Sequence, residues 1–199
     1  MIANLNAEDS IMSNRKPQYN VSATIINRWS PRSMSGESIM DDELMSLFEA
    51  ARWAPSSYNG QPWRFIYVKR DTPEWHTFFD LLVEFNKSWC KNAAALVLII
   101  SKNDFVHSGE PSRTHSFDTG AAWQNLALQG TMNGLVVHGM SGFDYEKAKQ
   151  VLNIPDGYTV EAMCAVGKPG SKKSIDEELK ERSNRKPVEE FVSEGTFKE

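Results

Sequence analysis

Three short stretches carry residue types that could do chemistry. The first is Pro55-Ser56-Ser57-Tyr58-Asn59-Gly60-Gln61, a run of hydroxyls and carboxamides ahead of Pro62. It could display donors and acceptors to a flat heterocycle, and it reads equally well as an ordinary helix-to-strand connection. The second is Arg28-Trp29-Ser30-Pro31-Arg32, which places two guanidinium groups and a hydroxyl within five residues. Forked guanidinium donors suit phosphate, although a solvated turn has the same composition. The third is Ser183-Asn184-Arg185-Lys186-Pro187 near the C-terminus, which by itself reads as a solvated basic patch.

Other chemistries leave little trace. His76, His107, His115 and His138 lie on different segments without metal-ligand spacing, so no zinc site is expected. There is no GxSxG, no P-loop and no GxGxxG, and no carboxylate pair stands out among 26 acids. Cys90 and Cys164 carry no disulfide or metal signature, which makes a cytoplasmic location the default expectation. The net charge of −4 is made of interspersed acids and bases, giving no reason to expect nucleic-acid binding. The longest apolar run, Ala93–Ile100, is far too short to span a bilayer, and the polar N-terminus has no apolar signal core.

The elements that must position the three stretches follow from pattern. Leu44, Leu47, Phe48 and Ala51 share one helical face behind the acids Asp41, Asp42 and Glu43, and Pro55 stops that helix. Trp63–Lys69 is aromatic and β-branched, hence a strand. A short helix is predicted over Asn20–Asn27, with Val21 and Ile25 inward. Pro73–Cys90 reads as helical, with Phe78, Leu81, Leu82 and Phe85 in the core. Ala93–Ser101 is a strand buried on both faces. Lys102–Ser116 is a polar loop, either a lid or a surface connection. Asp118 is expected to cap a small-residue helix ending before Gly134. Leu135–Met140 and Tyr158–Val166 complete the strands, with a helix over Tyr145–Leu152 capped by Asp144. Residues 1–19 read as a flexible arm and 20–199 as one domain with a C-terminal extension, long enough for a sizeable core.

The order and separation of these motifs, from about Asn20 to Val192, resemble those of the nitroreductase family, the FMN-dependent NAD(P)H oxidoreductases. The resemblance implies an α+β three-layer sandwich, a mostly antiparallel central sheet flanked by helices, in a homodimer with FMN at the subunit interface. It places Arg28, Trp29, Ser30, Arg32 and Arg185 around the phosphate and ribityl end. Pro55, Ser56, Ser57, Asn59, Gln61 and Asn86 would meet the polar edges of the flavin, and Met140, Ser141 and Gly142 its ring. This chain departs from the family pattern at Trp29 and at Trp89, where some members carry Lys, and at Ser141, where many carry Glu. No catalytic acid or base is required, because the cofactor carries the hydride. NAD(P)H would be the donor in a ping-pong cycle, and a nitroaromatic, quinone or other small conjugated ring the acceptor. The alternatives are a different reaction on the same fold, reductive dehalogenation or flavin consumption, or flavin binding without turnover.

Overall fold

A computed structural model describes residues 15–182 and 185–198. Four strands form one antiparallel sheet in the order β1-β2-β4-β3: β1 Trp63–Lys69, β2 Ala95–Lys102, β3 Val136–Met140 and β4 Tyr158–Gly167. Central β2 alternates strictly. Leu96, Leu98 and Ile100 pack into one core, and Ala95, Val97 and Ile99 into the other. The first core is covered by helices α3 (Trp75–Phe79), α4 (Glu84–Cys90) and α6 (Tyr145–Val151). The second is covered by α2 (Asp41–Arg52) and the long helix α5 (His115–Met132), which pack on each other. The result is the expected three-layer α+β sandwich. Helix α1 (Ala23–Asn27) packs on α5, and α7 (Lys172–Arg182) follows β4. No helix among the described residues is long and apolar enough to cross a membrane.

Local expectations are met where the signal is local. Leu44, Leu47 and Ala51 of α2 are buried, and the helix ends at Arg52, just ahead of Pro55. Asp144 caps α6, its carboxylate accepting from the Lys147 amide at 2.9 Å.

Three local readings are corrected. The Pro73–Cys90 helix is broken, because residues 80–83 leave it to meet the 142–144 turn. The Val83 amide donates to the Gly142 carbonyl, the Asp144 amide to that of Leu81, and Leu82 bridges Phe143. The break shifts the helical phase, so Phe85 is 60% exposed instead of in the core. In α1, Asn27 is the buried residue while Val21 and Ile25 are exposed. Finally, α5 begins one turn before Asp118, which sits in its first turn and not at its cap.

Candidate functional site

Arg28 leaves the end of α1 on extended backbone, and its Nη1 donates to Ser30 Oγ at 3.1 Å. Both residues open onto a cleft of about 520 Å³. Met140 and Ser141, where β3 gives way to the following turn, line it too. Its long wall is one face of α5, where Thr119 and Trp123 stand four residues apart. The Thr119 hydroxyl is buried without a hydrogen-bond partner. An orphaned buried hydroxyl is rare enough to mark a place where a ligand group belongs.

The far wall carries a carboxylate. Between Ile99 and Ile100 the β2–β4 register slips by one residue, leaving Glu161 as the extra residue of a bulge. Its Oε1 accepts from the hydroxyls of Ser101 and Ser116 at 2.5 and 2.6 Å. Ser101 Oγ also lies 2.7 Å from His115 Nδ1. The single Ser101 hydrogen is given to Glu161, so here the imidazole donates from Nδ1. Sequence reasoning missed Glu161, because a bulge depends on pairing between distant strands. It missed Thr119 and Trp123 because a helix of small residues reads only as close-packed.

The turn after β3 rests on Asn86. Asn86 Nδ2 donates to the Gly142 carbonyl at 2.9 Å, and its Oδ1 accepts from Trp89 Nε1 at 3.3 Å. One N–H and one oxygen lone pair of the amide lie beyond those two bonds. A Cβ on Gly142 would meet Asn86 Nδ2 at 2.6 Å, so glycine is what permits this approach. Trp89 packs its ring 4.5 Å from that of His138. His138 Nδ1 lies 2.9 Å from the Pro31 carbonyl, which ties the Arg28–Arg32 turn to β3.

At the Arg28 end, positive charge gathers. Burial, and then the nearby Arg185, lower the pKa of Arg28. The Arg32 guanidinium lies 4.5 Å over the Phe85 ring, while the Arg32 and Ser33 amides donate to the Glu178 carboxylate of α7 at 2.7 and 2.9 Å. Trp29 is half-buried. Lys186 is exposed and pairs with Glu190 at 3.8 Å, as a solvated basic residue would. Ser183 and Asn184 lie outside the described residues.

Tyr58–Gln61, the second half of the Pro55–Gln61 stretch, lines a separate concavity. Asn59 and Gln61 border it together with Arg64 and His107, and it shares no lining residue with the first cleft. Pro55 is exposed. Tyr58, Asn59 and Gln61 all have positive φ, at 50, 54 and 45°. Such left-handed backbone costs roughly 1 kcal/mol or more per residue, and it clusters at binding sites. Several bonds hold it there: Gln61 N to Ser56 Oγ at 3.1 Å, and Ser57 N to Asp118 Oδ2 at 3.0 Å. The 103–114 loop docks on it through Phe105, edge-on to Tyr58 with ring centroids 5.9 Å apart.

The sequence model of the Nitroreductase family matches residues 25–84 and 71–168. The chain belongs to the nitroreductase family. A crystal structure described as an oxidoreductase containing FMN superposes with a TM-score of 0.86 at 41% identity, covering 93% of this chain and 96% of that one. MhqN of Bacillus subtilis, provisionally named an NAD(P)H nitroreductase, is 29% identical over 191 residues, 80% of this chain and 90% of its own. A nitroreductase family protein from Clostridium difficile 630 shares the fold, with a TM-score of 0.71 at 20% identity over 90% of this chain and all of that one. The nitroreductase match begins at residue 25 and ends at 168, so the basic C-terminal element lies beyond it.

Proposed function

We propose that this nitroreductase-family chain is an FMN-dependent oxidoreductase that passes electrons from NAD(P)H to nitroaromatic, quinone or similar conjugated acceptors by a ping-pong mechanism, as a homodimer. The observation that carries the reading is the cleft running from the Arg28–Ser30 turn to the Met140–Ser141 turn. The residues present fit the cofactor. Guanidiniums gather at one end, as a phosphate requires, and an orphaned buried hydroxyl, Thr119, lies in the wall. Gly139 lets the Trp123 indole pack against the cleft wall, since a Cβ there would meet Trp123 Cζ2 at 2.8 Å.

When bound, FMN would supply two-electron chemistry, accepting a hydride from NAD(P)H and delivering it to the acceptor. Arg28, Ser30 and Arg185 would hold the phosphate, with Arg32 and Trp29 shaping the turn that carries them. Asn86 would fix the Met140–Gly142 turn and offer its spare N–H and lone pair to a ring edge. Ser56, Ser57, Asn59 and Gln61, on the strained loop, would complete the site from the second subunit. Planar acceptors should outperform saturated ketones, because a flat ring can stack where a puckered one cannot.

The test is the visible spectrum of the purified protein before and after anaerobic addition of NADH or NADPH. A yellow protein bleached by either nucleotide and recoloured by a quinone supports the reading. Colour that survives both nucleotides points to flavin binding without turnover, and a colourless protein that takes up no FMN removes the proposal.

A further inference from the structure

The pentapeptide Ser-Asn-Arg-Lys-Pro occurs twice in this chain, at residues 13–17 and again at 183–187. The fold brings the segments that follow the two copies together. Gln18, directly after the first, spans to the segment directly after the second: its Oε1 accepts from the Val188 amide at 2.7 Å, and its Nε2 donates to Glu189 Oε2 at 3.2 Å. Both Arg15 and Arg185 lie outside the region matched by the family.

Arg15 is bound to the same turn that launches Arg28. Its Nη1 donates to the carbonyls of Ile26 and Arg28, at 2.6 and 2.9 Å. Those bonds use both hydrogens of Nη1. Nε, on the opposite edge of the fork, is buried without a hydrogen-bond partner. The Nε–Nη2 edge is the one that meets two oxygens of an oxyanion in parallel. Arg15 makes no ion pair with a carboxylate among the described residues. Its pKa is lowered to about 10 by burial and by the charges of Arg185 and Arg28, so the three cations share one electrostatic neighbourhood. Arg15 and Arg28 are both partly buried, and like charges so placed favour an anion beside them.

We propose that Arg15, beside Arg28 and Arg185, clamps the dianionic phosphate of a phosphomonoester, with Gln18 stapling its segment to Val188 and Glu189. The proposal rests on the reading above that the phosphate of FMN lies at this end of the cleft. A phosphomonoester is mostly dianionic at neutral pH, matching the cluster's charge.

The experiment titrates FMN and riboflavin separately into the full-length protein stripped of flavin, following fluorescence quenching. Wild type should prefer FMN. Arg15→Gln should lose roughly tenfold in FMN affinity while riboflavin affinity stays unchanged, and Arg15→Lys should recover part of the loss. Gln18→Ala leaves all three guanidiniums in place. It should reduce the FMN preference in the same direction and speed trypsin cleavage after Arg15 in the presence of FMN. If wild type binds both ligands equally, the phosphate assignment itself falls. If wild type prefers FMN but Arg15→Gln and Gln18→Ala keep that preference in full, the clamp is wrong and the flavin reading stands. Parallel loss of both ligands in Arg15→Gln would make Arg15 merely structural and also overturn the proposal.

Discussion

Gly142 accepts the Asn86 side chain against its own carbonyl only because it lacks a Cβ. Gly142→Ala should therefore push the amide away, break that bond and cost about 1–2 kcal/mol in urea unfolding. Because the damage lies at the ring end of the proposed site, FMN and riboflavin affinities should fall in parallel, unlike the selective loss expected at Arg15. A second prediction concerns the thiols. Cys90 and Cys164 are free, fully buried, and packed on opposite faces of the sheet. Burial pushes Cys90 up to about 12, and Cys164 is raised as well. The folded protein should resist iodoacetamide at pH 8, with both thiols labelled once it is unfolded in denaturant. The linkage sign follows. Above the ordinary thiol pKa near 9 the unfolded thiols ionise while the folded ones stay protonated, so the native state binds more protons. Their contribution to stability is constant below that pH and is lost as pH rises toward 12. Alkylation of native protein at pH 8 at the rate seen in denaturant would refute this.

Among the elements, the contact between the strained loop and α5 connects the two concavities. Asp118 Oδ2 accepts from both the Ser57 amide and the Thr114 hydroxyl, although an N-cap role was what the sequence suggested for it. Asp118→Ala leaves two donors without their acceptor and should destabilise by about 1–3 kcal/mol. Asp118→Asn retains one carbonyl oxygen and should recover part of that. Chemical denaturation of the three proteins checks the ranking, and equal stability of the Ala variant and wild type would show the contact to be idle. The broken α3–α4 segment teaches a related lesson. Helical spacing correctly placed Phe78, Leu81 and Leu82 in the core. It failed at Phe85, because pairing of residues 81–83 with the 142–144 turn outweighed helical continuity. That same break sets Asn86 against Gly142.

At the scale of the molecule, Arg28 and Asn59 line separate concavities within one chain. Exposed apolar side chains, among them Ile25, Phe85 and Phe117, remain on its surface. The proposed homodimer, joining one subunit's Arg28 end to the other's Asn59 loop, would account for both. Arg28→Glu and Asn59→Asp should each abolish activity as homodimers. Random pairing makes about half the dimers mixed. A mixed dimer with shared sites collects both defects in one site and leaves the other whole, so co-expression should restore about a quarter of wild-type turnover. An NAD(P)H oxidation assay on the co-expressed pair reads this directly, and no recovery would mean that both elements serve one flavin from a single chain.

Period and punctuation, which are local, were enough to read the strands, α2, the Asp144 cap and the three-layer class. Side-chain alternation and helix stops are fixed by neighbours in sequence. The motifs Arg28–Arg32, Pro55–Gln61 and Met140–Gly142 were legible too, because their spacing resembles a family's. Only the tertiary structure decided which of them share a cleft. It turned Arg32 onto Phe85, raised Glu161 on a bulge toward Ser101 and Ser116, and bent Tyr58, Asn59 and Gln61 into left-handed backbone. It also set Arg15 beside Arg28, from an arm whose sequence has no periodicity. Each of these depends on contacts between segments far apart in the chain, and no local pattern records that convergence.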